Sequence, residues 1–280
     1  MQGNYSLRKR SLHTLMDLKP YLDEINAEVE RSEYIPHDPV QFLHAFENKK
    51  DIEIAGFFAA TMAWGRRDIV ISKVGELLSR FNYQPYEFVM DYKQSDFIIL
   101  KGFKHRTFKP IDIHGLISGL QTIYTQFDDF ESFWSHCYDL ALKQNRHFLA
   151  IFRELFFELS FDSAVRTRKH ISDPEKGSTC KRLYMYLRWM IRKNSPVDPG
   201  LWNFMPPAEL QVPFDVHVAR QSRRYGLITR KSNDLKTVNE LTNTLKLMNP
   251  DDPAVYDFAL FGLGALDYTL PKRFILNKVQ

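Results

Sequence analysis

Lys181 and Asp215 stand 34 positions apart, each at the head of a stretch with helical periodicity. A lysine that attacks carbon must be neutral, so burial or a nearby cation must lower its pKa. Arg182, Arg188 and a helix N-terminus are candidates for that push. An aspartate opposite the amine can orient it, deprotonate it, or stabilise positive charge developing on a sugar. The plainer reading of the same pair is a surface lysine and an N-cap aspartate, which any helical protein contains.

The elements that must hold this pair run from Gly177 to Gly226. Lys176 to Asn194 (KGSTCKRLYMYLRWMIRKN) predicts a helix that buries Leu183, Leu187, Met190 and Ile191, with Ser178 or Thr179 as N-cap. Steps of three and four align Lys181, Tyr184, Met185, Arg188 and Arg192 on a second, cationic face. Pro196, Pro199, Pro206, Pro207 and Pro213 make an ordered non-helical connector, in which Asp198 to Trp202 is expected to hold the shape. VPFDVHVARQSRRYGL then starts a helix at Asp215, with Arg220, Arg223 and Arg224 following and Gly226 as C-cap.

Elsewhere the pattern is helical. Expected helices cover 11–32, 40–47, 69–81, 85–92, 112–125, 130–141, 148–161, 234–248 and 253–266, and 54–64 is apolar on nearly all sides. Residues 96–108 read as strand or loop, with a basic cluster of Lys101, Lys104, His105 and Arg106. The apolar helix stops at Trp64-Gly65-Arg66-Arg67, and Asp68 can cap the next one. Arginines at such a turn suit a phosphate or base contact, or are simply solvated.

With 280 residues the chain forms one large or two small domains, and its 44% apolar and 26% charged residues are globular values. A net charge of +4 permits nucleic-acid binding without demanding it, but residues 166–193 carry nine Lys and Arg against Asp173 and Glu175. Two cysteines cannot build a four-cysteine site, and nine scattered histidines suggest no catalytic metal; no cofactor is expected. No apolar run is long enough to span a membrane, and the basic N-terminus lacks a signal-peptide core, so a soluble cytoplasmic protein is expected.

Several segments resemble the helix-hairpin-helix DNA glycosylase superfamily over roughly residues 40–270. FFAATMAWGRRDIVISKVGELLSRF is similar to its early buried helix, tight turn and next helix; DDPAVYDFALFGLGAL is similar to its late helix. PFDVHVARQSRRYGL resembles its aspartate-bearing segment, with Asp215, His217 and Arg220 on the matching positions. CKRLYMYLRWM looks most like the lysine helix of the archaeal 8-oxoguanine glycosylase branch, with Lys181 on the lysine position. In place of the usual two-glycine hairpin stands Asp173-Pro174-Glu175-Lys176-Gly177-Ser178, with one glycine. The Trp-Gly-Arg-Arg, Leu-Arg-Trp-Met and Asp-Xaa-His-Val-Ala-Arg signatures also resemble a bacterial family of unknown function.

The resemblance implies a mostly α protein of two helical lobes with a central cleft. Residues 50–195 would form one lobe, carrying Lys181; 1–49 plus 200–280 would form the other, carrying Asp215. It implies a monomer that binds double-stranded DNA with a damaged base. Lys181 would cut the N-glycosidic bond through a Schiff base, assisted by Asp215, with β-elimination as a possible second step. Arg66, Arg67, Arg188, His217 and Arg220 are the expected DNA contacts, and Trp64, Tyr184 and Phe214 are candidates for stacking on an extruded base. Large aromatics at helical spacing also suit a core, and His217 also suits a structural hydrogen bond. The alternative is a non-catalytic nucleic-acid binder on the same fold, or a helical interaction protein with no nucleic-acid role.

Overall fold

The computed structural model describes residues 7–160 and 165–277. Among these, the regular structure is helical: α1 (Leu12–Met16), α2 (Lys19–Val29), α3 (Lys49–Met62), α4 (Arg67–Arg80), α5 (Pro85–Asp91), α6 (Phe97–Leu100), α7 (Pro110–Gln126), α8 (Phe130–Gln144), α9 (Phe148–Leu159), α10 (Lys181–Ile191), α11 (Val216–Arg224), α12 (Leu235–Lys246) and α13 (Tyr256–Ala265). The described residues contain no strand; one isolated antiparallel bridge joins His105 and Phe108. The mostly α class is therefore correct. Positions 1–6, 161–164 and 278–280, including the expected end of the helix from 148, lie outside the described residues.

Local sequence explains most boundaries. Asn48 accepts from the Lys50 N–H and starts α3, which is apolar and buried over most of its length. Gly65 turns the chain at φ +109°. A Cβ there would lie 2.0 Å from the Arg106 guanidinium, the far end of a side chain that can swing aside, so it is the positive φ that calls for glycine. Asp68 does not cap the following helix. It falls inside α4, whose N-cap is Arg66, and its carboxylate binds that arginine at 2.6 Å. The expected helix over 11–32 breaks into α1 and α2 next to Pro20, and 39–42 is a 3-10 turn capped by Asp38. Residues 96–108 are short helix and turn, since Ile98 and Ile99 face solvent and leave no buried face for a strand.

The buried apolar side chains form one cluster reaching from Leu15 to Phe274. The element that positions the site, α10, packs on α3, while α2 and α11 pack on α13. Tyr186 from α10 is fully buried and donates its hydroxyl to the Glu53 carbonyl at 2.9 Å.

Glu53 is the polar centre of this core. Its buried carboxylate accepts from Trp202 Nε1 and Tyr124 Oη at 2.8 Å each, and from the N–H groups of Phe130 and Glu131 at the start of α8 at 3.1 and 3.2 Å. Burial pushes its pKa up, against the pull of these donors. Glu53→Gln sets an amide NH2 against groups that are already donors. The expected loss is about 2–3 kcal/mol in urea unfolding, because a buried donor without an acceptor keeps its full desolvation cost. An unchanged midpoint would mean that the carboxyl group is not needed.

Candidate active site

The lysine begins its helix on an unusual cap. Cys180, at φ +49°, is a left-handed N-cap whose side chain makes no capping hydrogen bond. The helix therefore starts at Lys181 and not at 176. Ser178, expected as N-cap, accepts from the Cys180 N–H at 3.2 Å, one step earlier. Before it, Pro174–Lys176 forms a 3-10 turn closed by Gly177 at φ +79°, whose carbonyl accepts from the Leu235 N–H at 3.2 Å. This turn occupies the place of the single-glycine hairpin.

Asp215 is the N-cap of α11, as its sequence position predicts. One oxygen, Oδ1, accepts from the N–H groups of His217 and Val218 at 2.8 and 2.9 Å. The other oxygen is free for a second partner, and that partner is Lys181: Nζ to Oδ2 is 2.9 Å. Burial alone would push the Asp215 carboxyl up; Lys181 and the cap N–H groups hold it below the usual range. The two side chains keep 36% and 24% of their surface accessible, enough for a reagent to reach them.

The pair opens on a cleft of about 250 Å³. Its walls come from the segment around Tyr34 and Asp38, the α3–α4 turn with Arg67, and α10, α11 and α13. Arg67 lies over the Phe261 ring at 4.7 Å and the Tyr34 ring at 5.5 Å, with Asp38 at 3.7 Å. Tyr34 donates its hydroxyl to Asp38 at 2.7 Å, and burial first, then Asp38, pushes the phenol above its usual range. Aromatic surface thus faces the amine–carboxylate pair. None of Tyr34, Asp38, Asp257, Phe258 and Phe261 was expected at the site. Asp257 could have been noticed as the lone charge in an otherwise apolar helix.

The second face of α10 is not a solvent-facing cationic stripe. Arg188 is buried: Nη1 binds Asp257 at 2.5 Å, Nη2 binds Asp198 at 3.2 Å, and the guanidinium covers the Phe258 ring at 4.2 Å. Its guanidinium, expected to contact DNA, is occupied by these two carboxylates. Arg192 is also buried, on Asp198, Asp252 and Glu30. Arg182 turns away to the Thr61 carbonyl. The charged group in contact with Lys181 is thus a carboxylate, that of Asp215. Asp198 does hold the connector, by bridging Arg188 and Arg192.

The stacking candidates divide in the same way. Tyr184 and Phe214 are 1% and 2% exposed and belong to the core; Tyr184 bonds His147 at 3.0 Å. Trp64 is 46% exposed, beside the cleft turn, with Arg106 at 5.3 Å from its ring. Arg66 is exposed and paired with Asp68, and Arg220 is exposed with a 3.5 Å contact to the Gly264 carbonyl. His217 lines the cleft and binds that same carbonyl at 2.9 Å through Nδ1, which fits the structural reading. Gly264 is required there: a Cβ would lie 2.8 Å from His217 Cβ.

The model of a family described as "Protein of unknown function" (DUF2400) matches residues 38–266. The chain belongs to the DUF2400 family. No curated protein and no solved structure gives a significant match. The matched span holds every cleft residue but Tyr34. Among the described residues no group of His, Cys, Asp and Glu could hold a metal ion, and no helix is long and apolar enough to cross a membrane.

Proposed function

We propose that this DUF2400 protein is a DNA base-excision glycosylase acting on an oxidised or otherwise damaged purine through a lysine Schiff base. The observation that carries it is the 2.9 Å contact between Lys181 and Asp215 at the mouth of an aromatic-lined cleft. An amine beside a carboxylate can be deprotonated where it must act, and a carboxylate can also answer positive charge on a sugar. The partly exposed Tyr34 and Phe261 offer a π surface for an extruded base, in place of Tyr184 and Phe214. Arg66 and Arg220 remain exposed and available to phosphates, with Arg67 and His217 nearer the base.

In this reading the stretches 50–195 and 1–49 plus 200–280 are the two lobes, the cleft is the space between them, and a cytoplasmic monomer acts on duplex DNA. The Lys181 ammonium passes a proton to Asp215. Nζ then bonds to C1′ as the C1′–N bond breaks, and its electron pair leaves with the base. The C1′–O4′ bond opens next; O4′ gains a proton from Asp215 and Nζ returns one, which leaves the iminium. Water or β-elimination releases the enzyme.

Borohydride trapping tests the reading. The protein is mixed with duplexes carrying 8-oxoguanine, an abasic site or no lesion, and reduced. A covalent adduct is expected with the first two and not with the third. No adduct on any duplex would sink the lysine mechanism. Salt-titrated binding would then separate a DNA-binding protein on this fold, whose affinity falls steeply with salt, from a protein with no nucleic-acid role.

A further inference from the structure

Arg188 and Arg192 share one buried network with Glu30, Asp198, Asp252 and Asp257. Two cations face four carboxylates. An excess of negative charge in a buried patch is costly, and a proton held on one of the acids would relieve it. Of the four acids, Asp257 is the one that lines the cleft. Oδ2 is held by Arg188 at 2.5 Å, and among the described residues the second oxygen has no hydrogen-bond donor. The mechanism above leaves this acid unused, and it leaves the departing base without a proton donor.

We infer that Asp257 is a general acid that protonates the base as it leaves C1′, an inference that rests on the glycosylase reading. The C1′–N bond breaks with its electron pair on the base nitrogen, and that nitrogen takes the Asp257 proton. The carboxylate left behind stays paired with Arg188. Burial pushes Asp257 up to about 6, with Asp215 and Asp198 adding to it and Arg188 and Lys181 opposing it. From across the cleft it is faced by Tyr34, Asp38 and Arg67, and from α11 by His217. A group of this pKa is a competent donor near neutral pH, whereas an ordinary carboxyl is almost fully ionised there.

Single-turnover base excision and adduct formation on a preformed abasic site separate the steps, because the abasic site has no base to protonate. Asp257→Asn is expected to slow excision about 100-fold and to leave abasic trapping at the wild-type rate. Wild-type excision is expected to fall as pH rises through about 6, where the acid form is lost. Asp257→Asn should lose that dependence and Asp257→Glu should keep it. Asp252→Asn, in the same network but away from the cleft, should excise as wild type does. A parallel loss of excision and trapping in Asp257→Asn, or an unchanged pH profile, would overturn the assignment in favour of a structural role. Absence of any wild-type adduct would overturn the glycosylase reading itself, and the inference with it.

Discussion

Lys181→Ala is expected to abolish the borohydride adduct and to slow base excision by about 1,000-fold or more, as loss of a nucleophile does. The fold should survive. Lys181 Nζ contacts Asp215 through Oδ2 alone, while the α11 cap rests on Oδ1. The pair is partly exposed, so its loss should cost about 1 kcal/mol or less. DNA binding should also persist, since Arg66 and Arg220 lie elsewhere on exposed surface. The variant thus separates chemistry from binding. The informative failure is an adduct of undiminished yield in Lys181→Ala, which would mean that another amine reacts with the abasic aldehyde. Full excision by the variant would end the proposal of a Schiff base.

Arg192→Met is expected to destabilise the protein by about 3–5 kcal/mol, with little change in side-chain volume. Arg192 is 3% exposed and is the cation on Glu30 and Asp252, which Arg188 does not pair with. Removing it leaves four carboxylates with Arg188 alone, and a buried charge stripped of its partner is far costlier than a broken surface pair. Two controls distinguish this from lost packing. First, the deficit should change little with salt, because buried pairs are poorly screened. Second, it should shrink toward acid pH. Burial already pushes Asp252 above its usual range against the pull of Arg192. Without Arg192 its folded pKa rises further, so the variant takes up protons on folding and gains stability as pH falls. A deficit below about 1 kcal/mol in urea unfolding would mean that water reaches the network and screens it.

The residue sequence on its own determined what depends on near neighbours. The apolar spacing of α3, α10 and α12 follows from 3.6 residues per turn, and the caps Asn48, Asp215 and Asp234 act on N–H groups two or three positions away. The basic stretch and its single-glycine turn were legible for the same reason. Lys181 and Asp215 could be named as a pair, because each lies near the head of a helical stretch and a rigid connector joins the two; that Lys181 is the first residue of α10, and that the side chains meet at 2.9 Å, are tertiary facts.

Only the tertiary structure decided what each helix face meets. Periodicity placed Arg188 and Arg192 on the face of Lys181, but it carries no information on whether that face looks at water or at Asp198, Asp252, Asp257 and Glu30. Those carboxylates come from segments up to 162 positions away. Tyr184 and Phe214 looked like stacking rings for the same reason, and packing buried them. The cleft likewise brings together Tyr34, Arg67, Lys181, Asp215 and Asp257 from five stretches of chain. A local pattern fixes an element and its ends; a site of this kind is made where elements cross, and crossing is set by the packing of the whole core.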